Sequence, residues 1–243
     1  MIHRGVGEPQ VIEIALGITA VIKLVHFNNP IGVNAGIIQT PEAIIFIDSG
    51  MSLYSGEYIW SIAEKKMTKE EDILLILTHK DTDHCFGMDA MKRRGADVLA
   101  HVHSGEIMKT MGDLSNNPIA QRIRKKFYPE DVLGNVVVSE PDEVINSDVI
   151  LDIEDEIKIL SVPGHTPGDI AVYHSKSKVL FTGDIVVEGR DPRIRPDSIK
   201  VETWISNLER LKELDIEWIV PGHGAVSKPD IIDSNIHYLE KQL

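Results

Sequence analysis

Apolar residues come in short runs over the first fifth of the chain: Val11 to Leu16, Thr19 to His26, Gly32 to Thr40 and Ala43 to Asp48. Gly17, Asn29-Pro30 and Thr40-Pro41 separate them. Runs of this length between turn formers predict strands joined by hairpins. From Tyr54 to Met67 the period changes, with Tyr58, Ile59, Ile62 and Ala63 at three- and four-residue steps, which predicts a helix laying one face on a core. Asp72 to Leu77 reads as a strand buried on both faces, whose end delivers the chain to His79. Ser104 to Phe127 predicts two helical pieces around Asn116-Asn117-Pro118, ending in the basic stretch Arg122 to Lys126. Strands are then expected near Val149 to Ile153, Ile157 to Val162, Ile170 to His174 and Val179 to Thr182. Two helices follow: Val201 to Leu214, with Trp204, Leu208 and Leu211 on one face, and Pro229 to Leu243, with Ile232, Ile236, Leu239 and Leu243 on one face. Each half runs from strands to helix. Two such halves bury their sheets against each other with helices outside, an α/β class four-layer α/β/β/α sandwich forming one domain over residues 1–243.

Composition narrows the setting. The chain has 243 residues, 42% of them hydrophobic, which suffices for a substantial core. Its formal charge of −13 opposes nucleic-acid phosphates and anionic lipid, so neither nucleic acid nor membrane is an expected partner. Cys85 is the single cysteine, which excludes an internal disulfide and suits a reducing compartment. The polar start Met1-Ile2-His3-Arg4 offers no apolar signal core, and no apolar run reaches membrane-span length. The expectation is a soluble cytoplasmic protein acting on a small molecule.

Chemistry concentrates in four separated segments: Thr78-His79-Lys80-Asp81-Thr82-Asp83-His84, Pro163-Gly164-His165-Thr166-Pro167-Gly168-Asp169, Thr182-Gly183-Asp184 and Pro221-Gly222-His223-Gly224. Imidazole and carboxylate bind zinc, manganese and iron, and seven such donors suffice for two divalent ions. Each segment follows an apolar run, so one rim of a sandwich can gather all four. The flanking glycines suit tight turns beside a crowded centre. Cys85 reads as packing beside the site, and His101 and His103 as surface or supporting residues. Asp48 reads as a buried turn carboxylate that orients a metal-binding loop. Arg190, Arg193 and Arg195 lie on a loop beyond Asp184, as a solvated patch or as weak candidates for binding an anionic substrate.

These motifs, with Asn34-Ala35-Gly36 and Phe46-Ile47-Asp48-Ser49-Gly50 ahead of them, resemble the metallo-β-lactamase superfamily, whose hallmark is Thr-His-x-His-x-Asp-His followed by a distant Gly-His, an Asp and a His. The resemblance implies that His79 and His165 hold a first metal, that Asp83, His84 and His223 hold a second, and that Asp184 bridges them. Asp81 stands where most members have their second histidine, as glutamate does in the flavodiiron branch.

A carboxylate there changes the charge. Two divalent ions, Asp83, Asp184 and a hydroxide leave one net positive charge, and Asp81 removes it. A more neutral centre activates water less and shifts the preference toward harder ions, iron or manganese, with zinc still the expected occupant of the two positions. Three readings follow. In the first, a metal-dependent hydrolase attacks an ester, thioester, lactone, amide or phosphoester with a metal-held hydroxide oriented by Asp83. In the second, one iron on His79, His165 and Asp184 resembles the facial triad of persulfide dioxygenases. In the third, the metals clamp a non-catalytic binding module.

Overall fold

The computed structural model describes residues 8–26, 29–65, 67, 71–113, 136–151, 153 and 156–243. Four strands open it: β1 (Gln10–Ala15), β2 (Ile18–Leu24), β3 (Val33–Gln39) and β4 (Ala43–Ile47), each antiparallel to the next. Helix α1 (Leu53–Glu64) carries the chain to β5 (Asp72–Ile76), which pairs parallel with β4. The Ser52 hydroxyl caps α1 by accepting from Ser55 N at 3.1 Å. Two short helices, α2 (Thr82–Cys85) and α3 (Met88–Lys92), precede β6 (Asp97–His101); helix α4 (Val102–Met111) and the two-residue strands β7 (Gly112–Asp113) and β8 (Val137–Val138) precede β9 (Glu143–Ile145). Strands β5, β6 and β9 complete the first sheet in parallel, giving seven strands in chain order apart from the skipped β7 and β8, which pair with each other.

The second sheet has five strands: β10 (Val149–Leu151), β11 (Ile157–Ser161), β12 (Ile170–His174), β13 (Val179–Gly183) and β14 (Trp218–Pro221). Its first four are antiparallel, and β14 returns parallel to β13 after helix α5 (Val201–Lys212). Helix α6 (Ile231–Glu240) follows.

Alternation along the strands divides the core into three buried layers. Ile18, Ala20, Ile45 and Ile76 of the first sheet meet Ile159, Val172, Phe181 and Val220 of the second in the middle. The opposite face of the first sheet, including Val21, Phe46 and Leu75, packs on Ile59, Trp60, Met88 and Met91. The outer face of the second, including Tyr173, Leu180 and Ile219, packs on Trp204, Leu208, Leu211, Ile232, Ile236 and Leu239. These are the four layers expected from the period changes in the sequence. Two local expectations fail. Leu243 lies beyond the end of α6 and is 70% exposed, and β5 begins with an exposed Asp72 at its paired but uncovered end, so only Leu75 and Ile76 are fully enclosed. The expected helical pieces around Asn116-Asn117-Pro118 and the basic stretch Arg122 to Lys126 lie outside the described residues.

Parallel pairing positions the site. Strands aligned in the same direction end on the same rim, where α/β sheets commonly bind ligands. The carboxyl ends of β5, β11, β13 and β14 deliver His79, His165, Asp184 and His223 respectively. Cross-sheet hydrogen bonds lock that rim: Asn34 N donates to Gly222 O at 2.8 Å, and Ile170 N to Thr78 O at 2.9 Å. Asn34 Nδ2 also donates to Pro221 O at 2.8 Å and Gly224 O at 3.0 Å. Its early placement in the sequence thus serves the last ligand loop.

Candidate metal centre

The single turn of α2 splits the first motif between two groups. Asp81 occupies its N-cap, while Asp83 and His84 lie within it. One group gathers donor atoms of His79, His165 and Asp184; the other gathers Asp83, His84 and His223; within each group the atoms all lie within 4.8 Å of one another. All six residues are buried. Asp184 reaches both groups, with Oδ1 3.2 Å from His84 Nε2 and 3.3 Å from His223 Nε2, and Oδ2 3.7 Å from His165 Nε2. Asp81 abuts the first group, its Oδ2 3.2 Å from His165 Nε2 and 3.6 Å from His79 Nε2.

The far side of each imidazole is anchored. His84 Nδ1 donates to Asp48 Oδ2 at 2.7 Å. The Thr78 hydroxyl donates to the same carboxylate at 2.8 Å, leaving its oxygen to accept from His79 Nδ1 at 3.0 Å. His165 Nδ1 donates to Arg193 O at 3.0 Å, and His223 Nδ1 to Gly32 O. With every Nδ1 committed to an acceptor, every neutral ring presents an Nε2 lone pair to the centre. Three of those nitrogens, on His79, His84 and His223, and Asp184 Oδ1 are buried without a hydrogen-bond partner. Buried polar atoms are normally satisfied, so orphans converging on two points fit a pair of bound cations. The donor set is suited to zinc, iron or manganese.

Asp48 holds a positive φ of 61°, a strained conformation for a non-glycine residue. Its carboxylate accepts from Thr78 N at 2.8 Å as well, so three groups of the motif loop hold it there. Asp48→Asn, which cannot accept from all of them, is expected to weaken metal binding about 10–100-fold with little change in far-ultraviolet circular dichroism. Chelator competition checks this, and wild-type affinity would remove Asp48 from any orienting role.

Metal-free, protons take the place of the ions. Burial alone would push His223 down, but Asp184 and Asp83 override it and hold the ring up at about 9. His84 is likewise driven well above its usual value, burial being outweighed by Asp48, Asp83 and Asp184. Burial resists ionisation of Asp83 and Asp184, yet the surrounding imidazoles keep both well below the usual carboxylate range.

A cleft of about 700 Å³ opens on this centre, and Lys80, Arg190, Arg193 and Arg195 line it together with Met51 and Met111. Arg190 and Arg195 are more than a solvated patch: Arg190 pairs with Asp184 Oδ2 at 3.0 Å, and Arg195 with Asp81 Oδ2. Arg193 is exposed on the same loop. Cys85 is fully buried and its thiol lies 3.4 Å from Lys80 O, as expected of packing beside the site; burial and nearby carboxylates push its pKa well up. His101 caps α4, accepting from His103 N. Sequence reasoning missed His26, whose Nε2 lies 3.2 Å from Asp83 Oδ2, and treated Asp169 only as part of a motif. Asp169 accepts from Thr166 N at 2.7 Å and Gly164 N at 3.2 Å, which folds the loop that presents His165.

Known proteins resemble this chain in sequence and in fold. Acyl-coenzyme A thioesterase MBLAC2 of Homo sapiens is 25% identical over 207 residues, covering 78% of this chain and 72% of its own length. Hydroxyacylglutathione hydrolase GloC of Haemophilus influenzae is 36% identical over 173 residues, 67% of this chain and 76% of its own. Among solved structures, a metallo-beta-lactamase from Pontibacter korlensis superposes with a TM-score of 0.75 at 18% identity, over 97% of this chain and 100% of that one, a likeness of fold. The metallo-beta-lactamase superfamily model matches residues 28–223. Because that match covers most of the chain, from before the first candidate donor to His223, this chain belongs to the metallo-beta-lactamase superfamily.

Proposed function

We propose that the protein is a two-metal hydrolase of acyl thioesters whose thiol portion is anionic. The observation that carries the reading is the pair of complete donor groups sharing Asp184 at the floor of a cleft whose wall carries Arg190, Arg193 and Arg195. Two divalent ions held there would supply Lewis acidity toward an acyl carbonyl and lower the pKa of a water. The residues do the rest. Four imidazoles keep their ring planes fixed through their anchored Nδ1 atoms. The Asp83 carboxylate, held ionised beside His26 and His223, accepts from the attacking water and aims its lone pair. Met51 and Met111 offer apolar wall to an acyl chain, and the exposed Arg193 attracts negative charge into the mouth of an otherwise acidic protein.

A thioester suits this site because its leaving thiolate is a weak base with a pKa near ~8.5, so expulsion needs little help from a general acid. The names of the thioesterase and hydroxyacylglutathione hydrolase relatives point the same way. The second group, Asp83, His84 and His223, is as complete and as buried as the first, which favours two ions over the mononuclear iron alternative.

The test is plasma-emission analysis of metal content together with turnover of glutathione and coenzyme A thioesters, set against the oxyester of the same acyl group. Two ions per chain and a clear preference for thioesters are expected. A folded protein that takes up no divalent metal would end the reading. Oxygen uptake with glutathione persulfide, without thioester turnover, would transfer it to iron chemistry.

A further inference from the structure

Asp81 is enclosed in a closed ring of alternating charge. Arg195 Nη1 donates to Asp81 Oδ2, the oxygen that faces His79 and His165. Arg195 Nη2 donates to Asp197 Oδ2 at 3.4 Å, and its Nε lies 3.2 Å from Asp197 Oδ1. Lys80 Nζ closes the circuit, 2.9 Å from Asp197 Oδ2 and 3.3 Å from Asp81 Oδ1. Two cations and two carboxylates sum to zero. The inner pair is sheltered, with the Asp81 and Arg195 side chains 16% and 17% exposed, whereas Asp197 is 49% exposed. Lys80 is equally sheltered, but its Nζ stands 3.3 Å from Asp81 Oδ1, so the charge-assisted Arg195–Asp81 hydrogen bond at 2.5 Å is the shortest contact of the ring.

We propose that Asp81 and Arg195 act as one unit in place of the imidazole usual at this position, the carboxylate supplying the donor oxygen and the guanidinium cancelling its charge. The proposal rests on the two-metal reading above, but metal affinity tests it without any substrate being known. It amends the charge count drawn from sequence. Asp81 alone would lower the charge of the centre by one, whereas Asp81 with Arg195 adds no net charge, as a histidine there would; Arg190 on Asp184 is common to both counts. Arg195 is thus a positioning residue that acts through Asp81. Lys80 and Asp197 hold its guanidinium in register across 114 residues of sequence separation.

Charge compensation predicts effects of opposite sign. Arg195→Gln keeps an amide able to donate to Asp81 but removes the positive charge beside the first ion, so zinc should bind about tenfold more tightly, the order of one unit charge at a partly screened distance. Asp81→Asn should bind zinc about tenfold or more weakly. The double variant Asp81→His with Arg195→Gln, which rebuilds a neutral donor, should return close to wild type. Arg195→Lys, which keeps the charge and serves if the glutamine variant folds poorly, should also remain near wild type. The measurement is zinc titration of verified metal-free protein against a chromophoric chelator, with thermal melts as the folding control. If Arg195→Gln binds zinc no more tightly than wild type, or Arg195→Lys tightens it equally, charge compensation is overturned. Protein that binds no zinc in any form would instead remove the two-metal reading beneath it.

Discussion

Asp184→Asn is expected to lower turnover more than about a thousandfold and to reduce bound metal from two ions per chain to one or fewer. The carboxylate is placed to serve both groups, Oδ1 toward His84 and His223 and Oδ2 toward His165. An amide keeps one acceptor and turns an NH₂ toward the other ion, replacing attraction by repulsion at one end of the bridge. Relaxation cannot hide the change. A Cβ built on Gly222 would lie only 2.1 Å from Asp184 Oδ1, so the backbone of the final ligand loop already presses on this side chain. Arg190 would also lose its charged partner at 3.0 Å. Asparagine matches aspartate in shape, so the variant should fold, and its metal content and kcat read the bridge directly. Two tightly held ions and near-normal turnover in Asp184→Asn would show that the groups do not share this residue.

What could be read from the chain beforehand was whatever depends on neighbours in sequence. The switch from short apolar runs to three- and four-residue steps identified most strands of both sheets and the helices bearing Trp60 and Trp204, and each segment of candidate donors does follow a strand. Asp48 was identifiable as a turn carboxylate beside the site because the strand before it is apolar and a glycine follows two residues later. Pairings between distant segments were invisible. His26 meets Asp83 through the folding of the first sheet, Arg190 folds back six residues onto Asp184, and Arg195 meets Asp81 only when the two halves close. The sequence-based charge count therefore took Asp81 without the guanidinium that the structure sets against it. The exposed Leu243 has a simpler cause, since an apolar residue in step with a helix is buried only while the helix continues beneath a neighbour.

Removing the metals should lower the melting temperature, and the loss should grow with pH. Free ion at about 1,000 times its Kd stabilises the folded state by about 4 kcal/mol, and a chain of this size shifts by roughly 2–4 °C per kcal/mol, so roughly 10 °C is at stake. The pH trend follows from what replaces the ions. In the metal-free protein His223 titrates at about 9, and His84 and His165 are also raised, against a value near ~6.5 in the unfolded chain. Burial works against each of these shifts, and the carboxylates around the rings outweigh it. Groups raised on folding contribute stability that is fully present below pH ~6.5 and disappears as pH climbs through their folded values. The metal-free protein should therefore melt progressively lower between pH 6.5 and 9. Metal requires the same rings neutral, so the ions compete with protons, and their hold strengthens over that interval. The two melting curves must diverge as pH rises. Asp83 and Asp184 do not disturb this window, because carboxylates depressed on folding lose their contribution only in acid. Paired scans of zinc-loaded and chelated protein at several pH values measure the gap. A gap that stays constant or narrows toward pH 9 would mean that protons do not occupy the metal positions, and the buried orphan nitrogens would need another explanation.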